Sequence, residues 1–304
     1  MTLLAEPPAT AAAPVTPAPA PAPAPAAAGW PSARELMRAV LLTLSALAAW
    51  LVLFALVVSG AQESRAQHTL YGTLRQQLAD GTAPLSAPIA TGAPVAVMSA
   101  PAIGMKNLVI VQGTSASTLR GGPGHRPDSV LPGQAGVAVV YGRATTFGGP
   151  FGSITRLKAG DSITVTTQQG RYSYIVDHLR RKGSPVAAPT AGTGRLTLVT
   201  AEGTSTFGGW APDRTVFVDA TLDKPAQAGA VAGAAQNEAA MARDTGALTP
   251  LVLWLEALLL AALLLTWANR RWGARQTWIV GIPVLAAALW GASETAWVLL
   301  PNLL

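Results

Sequence analysis

The run Gly121-Gly-Pro-Gly-His-Arg-Pro127, Leu131-Pro-Gly-Gln134, Val137-Ala-Val-Val-Tyr-Gly142 and Arg143-Ala-Thr-Thr-Phe-Gly-Gly-Pro-Phe151 decides the reading of this chain. A Gly/Pro-rich turn feeds an apolar β run, and Gly142 breaks that run into a polar loop closed by Gly-Gly-Pro-Phe. Further along, a second buried run, Arg195-Leu-Thr-Leu-Val-Thr200, ends at Ala201-Glu-Gly. Around these two lie others of the same kind: Val95–Met98, Leu108–Val111, Ile163–Thr166, Tyr172–Val176 and Val216–Ala220. Short β-rich runs punctuated by Gly and Pro, from Pro94 to about Asp223, predict a closed barrel or sandwich. A domain of that length buries a core without disulfides, so the absence of cysteine does not argue against an exported location.

The absence of cysteine also removes any thiolate nucleophile and any Cys-ligated metal site. The three histidines, scattered and without paired carboxylates, make no ligand set, so neither metal nor cofactor is expected. The net charge of +6 is modest, and the basic residues form no basic-aromatic stripe of the kind nucleic acid requires. A mean hydropathy of +0.36 points instead to membrane spans.

Residues 1–33 are a Pro/Ala-rich tail with nothing to bury, expected to be extended and disordered: a spacer, or a docking segment for a partner. Arg34 and Arg38 precede Ala39–Ser59, a charge-free run long enough to cross a bilayer. The first transmembrane helix is expected within 36–59, with the N-terminus cytoplasmic and the following domain outside. Residues 60–93 read as a juxtamembrane helix and linker. Leu70, Leu74 and Leu78 form one apolar stripe, suited to packing on the domain or to lying in the membrane interface. After the β region (94–223) and a linker (224–249, partly helical around Asn237–Arg243), two further spans are expected at 250–268 and 277–300. They flank Arg270, Arg271 and Arg275, a basic loop that belongs in the cytoplasm. Glu256 and Glu294 lie inside these spans, either as solvated near-interface acids or as polar contacts with a neighbour.

In order and grammar the chain from Leu41 to Leu222 resembles an actinobacterial sortase, a membrane-anchored cysteine transpeptidase of Gram-positive bacteria. The runs that carry the resemblance are Gly122-Pro-Gly-His125-Arg-Pro, Leu131-Pro-Gly, Thr145-Thr-Phe-Gly-Gly-Pro-Phe151, Leu157-Lys-Ala-Gly-Asp161 and Leu196-Thr-Leu-Val-Thr200. The resemblance implies a mainly β fold: a closed sortase-like β-barrel of about seven or eight strands. With it come three transmembrane α-helices, the C-terminal two being outside the family's single-anchor plan. In that family a Cys thiolate attacks a Thr–Gly bond of a sorting signal, a His is acid and base, and an Arg holds peptide or oxyanion. Here the His position carries Arg143 and the Cys position Ala201. Tyr141 replaces a small residue, and the Arg has a candidate in Arg214, which could equally be a surface arginine. A guanidinium with a pKa above about 12 exchanges no protons near neutrality.

Other residues supply no ready substitute. Thr200 faces the opposite side of its strand from Ala201. Thr204 and Ser205 lack a positioned base, Glu202 lacks a histidine to pair with, and His125 reads as a turn or packing residue. The resemblance therefore implies a catalytically inactive sortase-like protein of the plasma membrane and cell envelope. Its extracytoplasmic barrel would bind or scaffold a peptide or protein partner between the loops 143–151 and 202–214. Thr145, Thr146, Phe147, Glu202 and Arg214 are the ligand-binding candidates. Two other readings stay open: a transpeptidase or hydrolase using a non-Cys nucleophile, and a structural membrane-complex subunit. The sequence does not set the oligomeric state.

Overall fold

A computed structural model describes residues 32–86, 88–181, 192–203, 214–229, 245–299 and 303. The Pro/Ala tail, the expected helical turn at Asn237–Arg243, and Thr204 and Ser205 lie outside these residues. The chain divides into two compact units, Met1–Ala46 and Leu47–Leu304. In the first, the described residues after Ser32 are helical. All that follows concerns the second.

Among its described residues are eight strands: β1 (Pro94–Ala100), β2 (Met105–Gln112), β3 (Gly124–His125), β4 (Gly136–Tyr141), β5 (Ser162–Thr167), β6 (Gly170–Arg181), β7 (Gly194–Glu202) and β8 (Arg214–Leu222). They close into a barrel in the order β1-β2-β3-β4-β7-β8-β6-β5. Pairing is antiparallel except between β2 and β3 and between β4 and β7. Alternation along the strands separates two sets of apolar side chains. Ala138, Val140, Leu196, Leu198, Val218 and Ala220 join the barrel core with Ile110, Ile163, Val165 and Tyr174. Tyr141, Val199 and Ala201 belong to a second cluster, with Val139 and Phe217 packed against it.

Seven of the strands contain the runs picked out by β-rich patterning. The eighth, β3, comes from the stretch read as a turn, and two residues are too few to show a period. Gly124 fits there because a Cβ would lie 2.0 Å from the Gly113 carbonyl oxygen.

The helices are α1 (Ala33–Leu53), a π-helical turn (Phe54–Val58), α2 (Ser59–Asp80), α3 (Leu248–Trp272) and α4 (Ala274–Val298). On α2, Leu74 is buried with Val109 and Ala83, with Leu70, Leu78 and Val97 packed against them, so the leucine stripe covers the barrel wall. Gln67 does more than cover. Its Nε2 donates to the carbonyls of Val109 (3.1 Å) and Gly121 (2.7 Å), and its Oε1 accepts from the Val109 N–H at 2.7 Å. A side-chain amide thus satisfies both main-chain groups of a buried β2 residue, as a neighbouring strand would.

Against an expectation of three spans, two helices among the described residues are long and apolar enough to cross a membrane, Thr245–Trp272 and Arg275–Val298. Ala39–Ser59 is helical throughout, but it is one part of a continuous run that continues into α2. In the hairpin, α3 and α4 approach closely at two glycines. A Cβ on Gly281 would lie 3.0 Å from Leu265, and one on Gly291 2.4 Å from Trp254.

Candidate functional site

The parallel register of β4 and β7 sets Tyr141 opposite Val199. The Gly142 N–H donates to the Val199 carbonyl at 3.0 Å, and Thr200 Oγ1 donates to the Gly142 carbonyl at 3.0 Å. Ala201 follows Thr200 within β7, while Arg143 follows Gly142 beyond the end of β4. On the other side of β7, Thr215 pairs with Ala201, and Arg214 with Glu202. Ala201 and Arg214 thus lie on adjacent strands at one end of the barrel, and Arg143 in the loop that leaves β4 at that end.

Arg143 is not displayed toward solvent there; its relative exposure is 1%. One terminal nitrogen donates to the Ala116 carbonyl (2.9 Å) and the other to Thr146 Oγ1 (3.3 Å). The guanidinium lies 4.9 Å from the centroid of the Phe147 ring, and that of Arg120 5.6 Å from the same ring. Burial first, and the nearby positive charge of Arg120 second, bring its pKa down to about 9, well below the ordinary guanidinium range. It remains a cation and a donor at neutral pH. It cannot take a proton from a nucleophile.

Phe147 adopts the left-handed region (φ 50°). Its N–H donates to Ser59 Oγ at 3.0 Å, and its ring is buried in a cluster with Phe54 and Trp297. Side chains of the helical segments therefore hold the loop after β4 from outside. Two of the expected ligand contacts, Thr146 and Phe147, are consequently spent on the chain itself, since both are about 1% exposed. Thr145 is half-buried and Arg214 exposed. Glu202 accepts a two-pronged interaction from Arg181 (2.8 and 3.1 Å) on the barrel surface.

Ala201 is 4% exposed and shares its cluster with Leu119, Tyr141, Val199 and Leu303. The Leu303 carbonyl accepts from the Ala144 N–H at 2.9 Å. Thr200, fully buried, has its hydroxyl proton committed to the Gly142 carbonyl. His125 is fully buried as well. Its Nε2 donates to the Val130 carbonyl (2.8 Å) and its Nδ1 faces the Gln112 carboxamide (2.9 Å). Burial pushes its pKa from 6.5 down to about 4, so it is a neutral ring that ties a turn to β2.

Beside this end, a cleft of about 180 Å³ opens on the outer face of β4, β7, β8 and β6. Val137, Val139, Tyr141, Val199 and Phe217 give it an apolar lining. Its polar groups are ion-paired: Arg180 with Asp219, Arg195 with Asp177 (3.6 Å), and Arg126 with Asp128 (2.5 Å). Thr197 Oγ1 also donates to Asp219, at 2.7 Å, and Arg180 stacks 4.2 Å from the centroid of Phe217. Of the polar cleft residues on strands, Arg180, Arg195, Thr197 and Asp219 did not stand out in the sequence, where the last three are each a single polar residue among apolar neighbours. Their shared strand parity was the signal that could have found them.

Residues 98–222 match the family model of the sortase domain. The barrel is a sortase domain. Similar solved structures include the Clostridium perfringens Sortase D5 transpeptidase, 19% identical over 53% of this chain and 99% of that one, with a TM-score of 0.43. The SrtA sortase from Actinomyces oris is 25% identical over 46% of this chain and 84% of that one, TM-score 0.40. Sortase E from Streptomyces avermitilis is 28% identical over 45% of this chain and 91% of that one, TM-score 0.37. Comparison with the curated proteins gives no match.

At the end of this sortase domain where β4 and β7 stop, the described residues provide a donor-only guanidinium, a methyl group and a hydroxyl bonded to a carbonyl. Acyl transfer needs a nucleophile within reach of a base. Beside them lie an apolar cleft and a row of paired charges.

Proposed function

We propose that this sortase domain is catalytically silent and that its barrel holds an extended peptide or protein partner outside the membrane. The observation that carries the reading is the pairing at the strand ends. Arg143, buried and unable to accept a proton, neighbours Ala201, which has no reactive atom. The cleft beside them keeps an apolar lining that a side chain of an extended segment could enter.

In this reading the chain is a plasma-membrane protein of the cell envelope. The helical run through Ala39–Ser59 is the first span, and α3 and α4 are the second and third. Arg34 and Arg38 at one end, and Arg270, Arg271 and Arg275 in the loop between α3 and α4, place those segments in the cytoplasm and the barrel outside.

The full chain in detergent, incubated with a panel of labelled sorting-signal peptides, is expected to retain peptide without releasing any product. Turnover abolished by changing one hydroxyl among Thr200, Thr204 and Ser205 would reject the silent reading. A structural role in a membrane complex draws on a separate observation. Glu294 of α4 takes a hydrogen bond from Gln62 (2.7 Å) and pairs with Arg120 of the barrel (3.4 Å), binding the hairpin to the domain. Co-purification of a partner that is lost with Glu294→Ala, in a chain that binds no peptide, would favour it.

A further inference from the structure

Acids around the barrel are taken up by cations: Asp128, Asp177, Glu202, Asp219 and Glu294 each meet an arginine. One cavity departs from that pattern. It holds about 390 Å³ between α2 and the start of β2, lined by Glu63, His68 and Tyr71 from the helix and by Lys106, Asn107 and Leu108 from the strand. Among the described residues, the side chains of Glu63, His68 and Lys106 make no hydrogen bond or ion pair, with one another or with any other group. A volume in the range of small-molecule sites, with a few polar groups converging on it, is the usual form of a binding cavity.

Both walls are shaped. On the strand side, Met98 pairs with Leu108 but Ala100 with Met105, so β2 carries one residue more than β1 opposite it. Lys106 and Asn107 share that bulge, Asn107 in the left-handed region (φ 50°) with its N–H bonded to Ser99 Oγ at 3.0 Å. Bulges of this kind re-aim side chains beside functional sites. On the helix side, a Cβ on Gly148 would lie 2.9 Å from Glu63 Oε2, so the carboxyl is pressed against the loop after β4. Burial there raises its pKa to about 7, and an adjacent cation would return it to its ionised form.

We propose that this cavity binds a group carrying both a phosphate and a primary ammonium, the headgroup of a phospholipid in the outer leaflet. Glu63 accepts from the ammonium, and Lys106 and His68 hold the phosphate. A primary ammonium donates hydrogen bonds to a carboxylate, which a trimethylammonium cannot do. The lipid source rests on the membrane reading above. The charge-free run ends at Ser59, and Glu63 stands four helical residues further on, about 6 Å at 1.5 Å per residue. The headgroup layer beyond the hydrocarbon is about 5–8 Å deep on each side.

Ser64 also lines the cavity, and the chain has no cysteine, so Ser64→Cys carries the only thiol. The full chain is reconstituted in phosphatidylcholine nanodiscs, with or without phosphatidylethanolamine, and labelled with maleimide. Phosphatidylethanolamine should slow Ser64→Cys labelling about fivefold, the protection that about four-fifths occupancy gives by mass action. Leu85→Cys, exposed and outside the cavity, should label alike in both. Added to Ser64→Cys, Glu63→Gln or Lys106→Glu should abolish the difference. Lys106 is exposed, so its variant reads the site even where Glu63→Gln does not fold.

In nonionic detergent, O-phosphoethanolamine should protect the same thiol, and inorganic phosphate at equal concentration should not. Protection by O-phosphoethanolamine with none from phosphatidylethanolamine would overturn the lipid source and the depth given to α2, leaving the ammonium–phosphate site. Equal labelling in the two nanodiscs and no protection by O-phosphoethanolamine would overturn the site itself. Protection that survives both variants would do the same. Neither arm reads peptide retention or turnover, so a failure of the peptide-binding reading leaves this one standing.

Discussion

Replacing Arg143 by Met tests whether the buried guanidinium earns its place through stability. The fall of its pKa from the ordinary guanidinium value to about 9 is a penalty on the buried cation of about 5 kcal/mol, at about 1.4 kcal/mol per pKa unit. Among the described residues no carboxylate pairs with it, and its Nε has no hydrogen-bond partner. Methionine removes the penalty and refills much of the volume with a flexible apolar chain. Against that, the Ala116 carbonyl loses its donor, at about 1–3 kcal/mol, and the Phe147 ring loses its cation, at about 0.5–2 kcal/mol. The losses come to about 1.5–5 kcal/mol against a gain of about 5 kcal/mol, so Arg143→Met should leave unfolding stability unchanged or raise it by up to about 3.5 kcal/mol. Loss of one partner from a productive buried ion pair would instead cost about 3–5 kcal/mol.

Denaturant unfolding of the detergent-solubilised chain, followed by tryptophan fluorescence, measures the difference. A second readout is its pH dependence. Above about pH 9, and below the ordinary guanidinium pKa, the unfolded chain still holds this proton while the native one has lost it, so unprotonated native protein is favoured as pH rises. Wild-type stability should therefore climb relative to Arg143→Met from pH 9 to 10, by up to about 1.4 kcal/mol. Destabilisation beyond about 3 kcal/mol with no difference in slope would refute the reasoning, because the cation would then be net stabilising.

Three further outcomes are expected. Gln67→Ala strips donor and acceptor from the Val109 main chain and should cost about 2–4 kcal/mol in the same assay; Gln67→Glu, which keeps the shape but cannot donate, should do no better. His125 is held neutral with a pKa near 4, so from pH 6.5 down to 4 the unfolded chain takes up a proton that the native one refuses, and stability should fall by about 3 kcal/mol at the lower end. Glu63, raised to about 7 by burial, acts oppositely, losing its contribution as pH rises from 4.5 through 7; the histidine term is therefore read as Glu63→Gln minus Glu63→Gln/His125→Asn. Finally, Ala201→Cys alone should give no peptide cleavage, since Arg143 supplies no base; product formation by that single variant would show that a base lies elsewhere.

How much of this was open to a reader of the sequence depends on the kind of signal. Seven strands announce themselves because β-branched residues recur between Gly and Pro, and the leucine stripe of α2 announces its own buried face. β3 does not, because Gly124 and His125 have no room for a period. The sequence placed Arg143 and Ala201 at matching strand ends, but it read Arg143 as a lost base and not as a side chain folded back under Phe147. That burial depends on Phe54 and Trp297, far apart in the chain. Leu303 was equally hidden. At the end of an apolar run one more leucine is unremarked, and only three-dimensional packing sets it against Tyr141 and Val199. Nothing in the sequence marks Gln67 as the residue that bonds the β2 main chain.

The bond from Gln67 to Val109 has a further consequence for how this protein comes into being. A helix supplies the hydrogen bonds that the sheet itself does not, so the barrel has no natural boundary at Pro94. Cut there, it would present an unsheathed β2 edge ready to pair with its neighbours in solution. During synthesis α2 precedes every strand, so the rim that β2 must join is waiting before the first β residue is made.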